Sequence, residues 1–495
     1  MTPTNFTNLP NELIREIILE ALPESFESLA LSCKAVYQLC TPFIEGHNRL
    51  RRRFRSFTYW DDPPDSSPLT IRTAFEIIKC IAVEPMTALY IEHVELDYDS
   101  LYWSLCGKPP QILPDVHHGG PIVELFANSP HLKEAGLDWK EFYTLIGEDL
   151  GRPGLHRYSQ RAAAFLLTLL PNLKTLSLPQ LWRPCEKTEK LLNVVVRRAR
   201  RPSCSWDKPS LAAVTRFSAS SDVGYMEDLY RHALPFLALP HVREFNATSS
   251  EDAADSFITL AYQDLYSGCR ETLKTVSFTN FFFDHLAVAN CLSHIPRLMK
   301  LTYSHSPKIN DSEEWNISKF VAAIEREVGN HLEEFSISIT DVQGSVAPGK
   351  VSMRGFKRLK KLEFPLEIAM CNIADAESRF GIPPNSLISQ EQHWGEYGLS
   401  VGDIVPATVC HLSIILSSGM DAKILKVLFS NFAAMKDSHL PALKEIRLRL
   451  RSDSYEEECA NLVVEMERVG VVLMTTRVES LEPAHKFSEP YTSKQ

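Results

Sequence analysis

Few residues in this chain have the type and spacing for covalent chemistry. Gly344, Gly349 and Lys350 match G-x-x-x-x-G-K after a strand-like run at 335–339, the spacing of a phosphate-binding loop. Such a loop needs consecutive N–H groups around the phosphate and a Ser or Thr after the lysine to hold magnesium. Val351 follows the lysine and Pro348 removes one N–H, so nucleotide binding is not expected. His117 and His118 with Asp115 have the donor types for a metal. They sit in a Gly/Pro loop without further ligands at helical or hairpin spacing, which reads as a solvated loop. No G-x-S-x-G occurs, and no Cys or Ser has a base partner readable from sequence. The chain is expected to be non-catalytic, with no cofactor and no metal. What remains is recognition chemistry. Arg447, Arg449 and Arg451 stand at i, i+2 and i+4 and share one face of a strand. Guanidinium groups pair bidentately with carboxylate or phosphate, so these three are the candidate substrate-binding residues. The plainer reading is that charges on a terminal strand prevent edge-to-edge pairing.

The elements that position these groups follow from composition and pattern. At 495 residues the chain has room for about three domains, or one domain plus a repeat array. Hydrophobic residues are 44% and charged residues 23%, as in ordinary globular protein. A net charge of −10 argues against non-specific binding to nucleic acid or an acidic membrane. The longest apolar run, 162–170, is far short of a membrane span. Eleven cysteines, an odd number with no C-x-x-C pair, read as reduced core thiols of the cytoplasm or nucleus.

Residues 9–45 are dense in helix signals. Leu9-Pro10 opens a helix whose Leu13, Ile14, Ile17, Ile18, Ala21 and Leu22 form a broad apolar stripe before Pro23. Ser25 is placed to cap a second short helix carrying Phe26, Leu29, Ala30 and Cys33, and a third carries Val36 to Cys40 before Pro42. Three short helices are near the lower size limit for an independent core, and the stripes are wider than that core can bury. A partner surface is expected. Five arginines from Arg49 to Arg55 follow, and then the turn-rich run 61–68 with three prolines. The sequence therefore divides into a helical domain over 1–57 and a linker over 58–70.

From 71 to 482 a short unit recurs, with apolar residues at i, i+3 and i+5. Its middle members are Val94, Ala135, Leu176, Phe217, Phe245, Val276, Leu301, Phe335, Leu362, Leu412 and Ile446. Pro130, Pro171, Pro240, Pro296 and Pro441 each stand two residues before a unit, where proline ends a helix and admits a strand. Helix-like stretches separate the units, for example 161–170, 252–266, 285–295 and 317–328. Strand then helix, at periods mostly of 25–41 residues, predicts an α/β fold of stacked parallel strands, an irregular leucine-rich-repeat solenoid. Polar residues between the apolar ones would face a receptor surface: Glu95, Ser177, Asn246, Thr302, Ser336, Glu363, Ser413, Arg447 and Arg449 among them. A capping helix over 456–469 and a disordered tail over 483–495 complete the expectation. Arg197-Arg198-Ala199-Arg200-Arg201 reads as a helix end favouring the macrodipole before it reads as a nuclear-import patch, and Phe281-Phe282-Phe283 reads as core.

Asn8-Leu9-Pro10-Asn11-Glu12-Leu13-Ile14, with Ile17, Ile18, Leu22 and the later Cys33-Lys34-Ala35-Val36-Tyr37, resembles an F-box. With the repeats behind it, the chain is similar to fungal-type F-box/leucine-rich-repeat proteins. Val36 stands where many F-boxes carry Trp, and the asparagine ladder of standard leucine-rich repeats is absent. The resemblance implies a substrate-recognition subunit of an SCF-type ubiquitin ligase. Its F-box would dock on the Skp adaptor, and through it on the cullin, while the repeats capture a protein substrate. The implied adaptor contacts are Leu9, Pro10, Leu13, Ile14, Ile17, Leu22, Cys33 and Lys34. The alternative is a repeat-based scaffold outside ubiquitination; a hydrolase or NTPase within the insertions comes third.

Overall fold

The computed structural model describes residues 9–57, 73–96, 119–151, 159–179, 182, 184–201, 208–221, 233, 235–249, 272–306, 315–339, 346–389, 397–417, 421–451 and 455–477. The run 61–68, the His117-His118 pair, the stretch 252–266 and the tail from 483 lie outside the described residues. Two compact units divide the chain at Leu273 and Lys274.

The first unit opens with three helices. The carbonyl of Pro10 accepts the amides of Leu13 and Ile14, both at 3.1 Å, and starts α1 (Asn11–Ala21). Helix α2 (Phe26–Ala30) follows Ser25, whose side chain makes no cap bond; its carbonyl accepts the Leu29 amide and its own amide donates to the Ala21 carbonyl. Helix α3 (Lys34–Phe54) does not stop before Pro42 but runs through it for 21 residues. The stripe Val36, Cys40, Phe43, His47, Leu50 and Phe54 explains why, since its 4-3-4-3-4 spacing keeps one face inward past the proline. An interior proline costs about 3 kcal/mol, whereas each buried apolar side chain beyond it contributes roughly 1.5–3 kcal/mol. Ile14, Ile18, Phe26, Ala30, Val36 and Cys40 form a core of their own, with Leu22, Leu29, Leu39, Phe43 and Ile44 packed around it. Val36, at the position where the resemblance would place a tryptophan, is at the centre of that core.

Helix α3 also fastens this head to the sheet. Arg55 ends it, and β1 (Ser56–Phe57) pairs parallel with β2 (His93–Glu95). His47 is 4% exposed, with Phe26 of the head 4.7 Å from its ring centroid. Its Nδ1 lies 3.0 Å from the Tyr90 hydroxyl at the end of α5 (Thr87–Tyr90), which follows α4 (Ala74–Val83). The joint is therefore a packed helix and a strand, both ahead of the 61–68 run.

Strands β2, β3 (Thr175–Ser177), β4 (Arg216–Ser221) and β5 (Glu244–Ser249) continue the first unit, each parallel to its sequence neighbour. Val94, Leu176, Phe217 and Phe245 share one inward rung. Parallel neighbours need crossovers, and helices supply them: α6 (Pro121–Ala127), α7 (Pro130–Glu134), α8 (Trp139–Gly151), α9 (Gln160–Leu166) and α10 (Glu186–Ala199). The expected strand at Leu132 to Leu137 is instead α7. Ser129 caps the amide of Leu132, Pro130 takes the first-turn position, and Gly136 at φ +66° ends the turn. The proline read as a helix stop is a helix start.

The second unit repeats the plan with β6 (Thr275–Phe281), β7 (Lys300–His305), β8 (Glu334–Ile339), β9 (Lys361–Pro365), β10 (His411–Leu416), β11 (Glu445–Leu450) and β12 (Val472–Arg477), all parallel in chain order. One inward rung runs Val276, Leu301, Phe335, Leu362, Leu412, Ile446 and Leu473. The intervening helices are α11 (His285–Ser293), α12 (Ile317–Val328), α13 (Glu367–Phe380), α14 (Ser386–Ser389), α15 (Val401–Ile404), α16 (Lys423–Leu428), α17 (Phe432–Ser438) and α18 (Glu456–Arg468). Apart from Ala135, every middle residue of the sequence repeat lies in a strand. Two strands, β1 and β12, lie outside the recurring unit read from the sequence, although Phe54, Phe57 and Tyr59 have its spacing and Phe57 pairs with Val94. Each unit is α/β, with parallel strands and helices between them, an arrangement compatible with a solenoid.

Candidate functional site

Two surfaces carry the residues singled out by sequence. On the head, Leu13 and Ile17 stand four residues apart and make one stripe along α1, with Leu9 just ahead of the helix. Ile14 and Ile18 make a second stripe about 100° away, and only this second one enters the core. Ile14 is 3% exposed and offers a partner nothing. Leu9 and Leu13 are 37% and 45% exposed, Pro10 is exposed, and Ile17 and Leu22 are half-buried. Cys33 and Lys34 are exposed where α3 begins. Leu19, Leu31 and Tyr37 add further uncovered apolar surface, Leu31 at 78%. Sequence reasoning missed these three because each lies within an apolar pattern that reads as core.

The second surface is the polar face of the second unit's strands. Thr302, Ser336, Glu363, Ser413 and Arg447 are consecutive partners across β7 to β11. They line a depression of about 530 Å³ together with Lys300, Glu334, Lys361, His411 and Glu445. Glu363 is its centre. The Ser336 hydroxyl donates to Oε1 at 2.8 Å, and Ser413 and Arg449 Nη1 each donate to Oε2 at 2.9 Å. Burial works against the charge, but these three donors outweigh it and hold the carboxyl below its usual range.

This arrangement alters the expectation for the arginines. Arg449 is already committed to Glu363, and Arg447 Nη2 lies 3.1 Å from Glu445 on its own strand. Arg451 is exposed just beyond β11. The three do not form an unoccupied guanidinium cluster. Along the leading row, Lys300 and Lys361 share Glu334 at 3.1 and 2.6 Å, and their hydrogen bonds keep its carboxyl below the usual range. His411 and Arg447 both reach Glu445. The row is a ladder of shared ion pairs.

Gly344 lies outside the described residues, and the rest of the phosphate-loop match is spent on structure. The Gly349 amide bonds the Cys371 carbonyl and the Val351 amide bonds Asn372 Oδ1 at 2.6 Å. These two amides point to protein acceptors rather than into a shared anion cradle. Arg197, Arg198 and Arg201 converge on Glu134 of α7 at 2.8, 2.6 and 3.6 Å. Phe281 and Phe283 are core, as expected, and Phe282 is half-buried. Among the described residues no cluster of His, Cys, Asp and Glu could hold a metal, and no helix is long and apolar enough to cross a membrane.

No family model and no curated protein matches this chain. The reading of its function therefore rests on its own residues.

Proposed function

We propose that this protein is a substrate-recognition adaptor of an SCF-type ubiquitin ligase, with residues 9–54 docking on the Skp adaptor and the strand faces receiving a protein substrate. The observation that carries this reading is the double stripe of α1. One apolar stripe, Ile14 and Ile18, closes a small core, while Leu9 and Leu13 stay uncovered beside it and Leu31 and Tyr37 lie exposed on the same head. Fully burying a leucine side chain contributes about 1.5–3 kcal/mol, and the surface these four positions still expose amounts to about two such side chains, so a partner covering them gains about twice that before association costs. The F-box resemblance of residues 8–37 names the partner that fits such a head. Strand faces lined by hydroxyls and paired charges offer hydrogen-bonding groups to a polypeptide.

Co-expression with the Skp adaptor tests the proposal. Wild type is expected to co-elute with it, and Leu9→Asp/Leu13→Asp, which leaves the core residues in place, to lose it. Equal recovery of both proteins with the adaptor, or of neither, would favour a scaffold outside ubiquitination.

A further inference from the structure

The strongest unassigned feature of the second unit is a basic rim. Residues 354–361 hold five cations in eight positions: Arg354, Lys357, Arg358, Lys360 and Lys361. All five are exposed. The segment is nevertheless fixed. Phe356 is 1% exposed and stacks on Phe335, Leu359 is fully buried, and the Lys357 amide bonds the Gly329 carbonyl at 3.0 Å. The carboxylate end of Glu325 on α12 lies against Gly355 of this segment. The rim continues sideways along the N-terminal ends of the strands: the Cys410 amide bonds the Lys360 carbonyl and the exposed Lys444 bonds that of Cys410, at 2.8 and 2.9 Å.

Charge in this row is unequal. Lys360 and Lys361 have partners in Glu333 and Glu334. Arg354, Lys357, Arg358 and Lys444 have no ion pair among the described residues. A fixed backbone carrying unpaired cations is already ordered for an anion, so binding there loses little side-chain and loop freedom beyond the cations themselves.

We propose that this rim, centred on Arg354, Lys357 and Arg358, docks an acidic protein segment laid across the strand ends of the second unit. An acidic polypeptide fits better than a nucleic acid for two reasons. Glu333, Glu334 and Glu445 stand within the same rows, where a uniformly charged phosphate backbone meets them but a polypeptide can set neutral residues opposite. The cations also carry no exposed aromatic ring between them on which a base could stack, Phe356 being buried. Seven parallel strands span roughly 30 Å, which about ten extended residues cover. Docking at this rim does not depend on what the head binds.

The test uses the full chain and labelled probes: an oligoglutamate peptide about ten residues long, a Ser/Gly peptide of equal length, the same peptide with phosphoserines, and single- and double-stranded DNA of matching span. The oligoglutamate peptide is expected to bind and to weaken with salt, the Ser/Gly peptide not to bind. Arg354→Glu/Lys357→Glu/Arg358→Glu is expected to lose at least about tenfold in affinity. The milder Lys357→Gln/Arg358→Gln should fall between, and Lys423→Glu/Lys426→Glu on α16 should bind as wild type. Unfolding midpoints report whether each variant is intact. Either carboxylate or phosphoserine binding at the rim supports the proposal. Tighter binding of DNA than of both acidic peptides, equal affinity in the charge-reversed variant, or no acidic-peptide binding overturns it.

Discussion

Arg449 on β11 reaches across β10 to Glu363 on β9, with Nη1 2.9 Å from Oε2, and so spans three strands with one ion pair. The pair is partly sheltered, and two serine hydroxyls complete the carboxylate's shell. Arg447, two residues earlier, instead makes an exposed contact with Glu445. The two arginines should therefore differ in worth. Arg449→Ala is expected to destabilise the second unit by about 1–3 kcal/mol, because it leaves a sheltered carboxylate short of a donor. Arg447→Ala should stay within about 0.5 kcal/mol. Denaturant midpoints check this; equal losses would place no special weight on Glu363.

The two stripes of α1 make opposite predictions for neighbouring residues. Ile14→Asp puts a carboxylate into the head core and is expected to cost at least about 3 kcal/mol, melting α1 to α3. Leu13→Asp lies outside that core and should change stability by less than about 1 kcal/mol. Hydrogen exchange over residues 11–54 distinguishes them, and similar loss of protection in both variants would contradict the assignment of Leu13 to the outer stripe.

Pro42 interrupts the hydrogen bonding of a helix that tertiary packing holds together. Because Pro42 itself is exposed, Pro42→Ala should restore the amide bond without disturbing the core. A gain of up to about 3 kcal/mol in head stability is expected. A destabilised variant would mean that the proline sets the course of α3.

His305 gives the second unit a defined sensitivity to acid. It is 2% exposed, its ring stacks on Trp315 at 3.6 Å, and burial pushes its pKa from 6.5 down to about 3. The folded state holds it neutral while the unfolded chain takes up a proton below 6.5. Its contribution is thus complete above that pH and is lost progressively as pH falls towards 3. Between pH 6.5 and 4.5 the loss should reach about 2–3 kcal/mol. His305→Phe should flatten the wild-type slope across that window, whatever its effect at pH 7. An unchanged slope would mean the ring titrates in place.

Much of this fold was legible before any coordinates. The rung positions from Val94 to Ile446 announce themselves because a strand must turn every second residue inward, and because helix-like stretches precede most of the strands. Leu132 to Leu137 shows where the pattern misleads: apolar spacing i, i+3, i+5 also fits a single helical turn, and Ser129-Pro130 decides for the turn. Pro42 misleads in the other direction, since a local helix breaker lost to a long-range stripe. Glu363 was visible only as one polar residue on a strand. Its importance comes from Ser336, Ser413 and Arg449, 27, 50 and 86 residues away, which no local spacing brings together. The rim at 354–361 escaped for a related reason, since a basic run in a repeat protein reads as a solvated loop until Phe356 and Leu359 are seen to hold it still.

The claim on which the account turns is that the head's outer stripe is a docking face. Hydrogen exchange of the full chain with and without purified Skp adaptor tests it most directly. The account predicts new protection over residues 9–40 and none over 274–477. Protection confined to the strands of the second unit, or none anywhere at saturating adaptor, would contradict it.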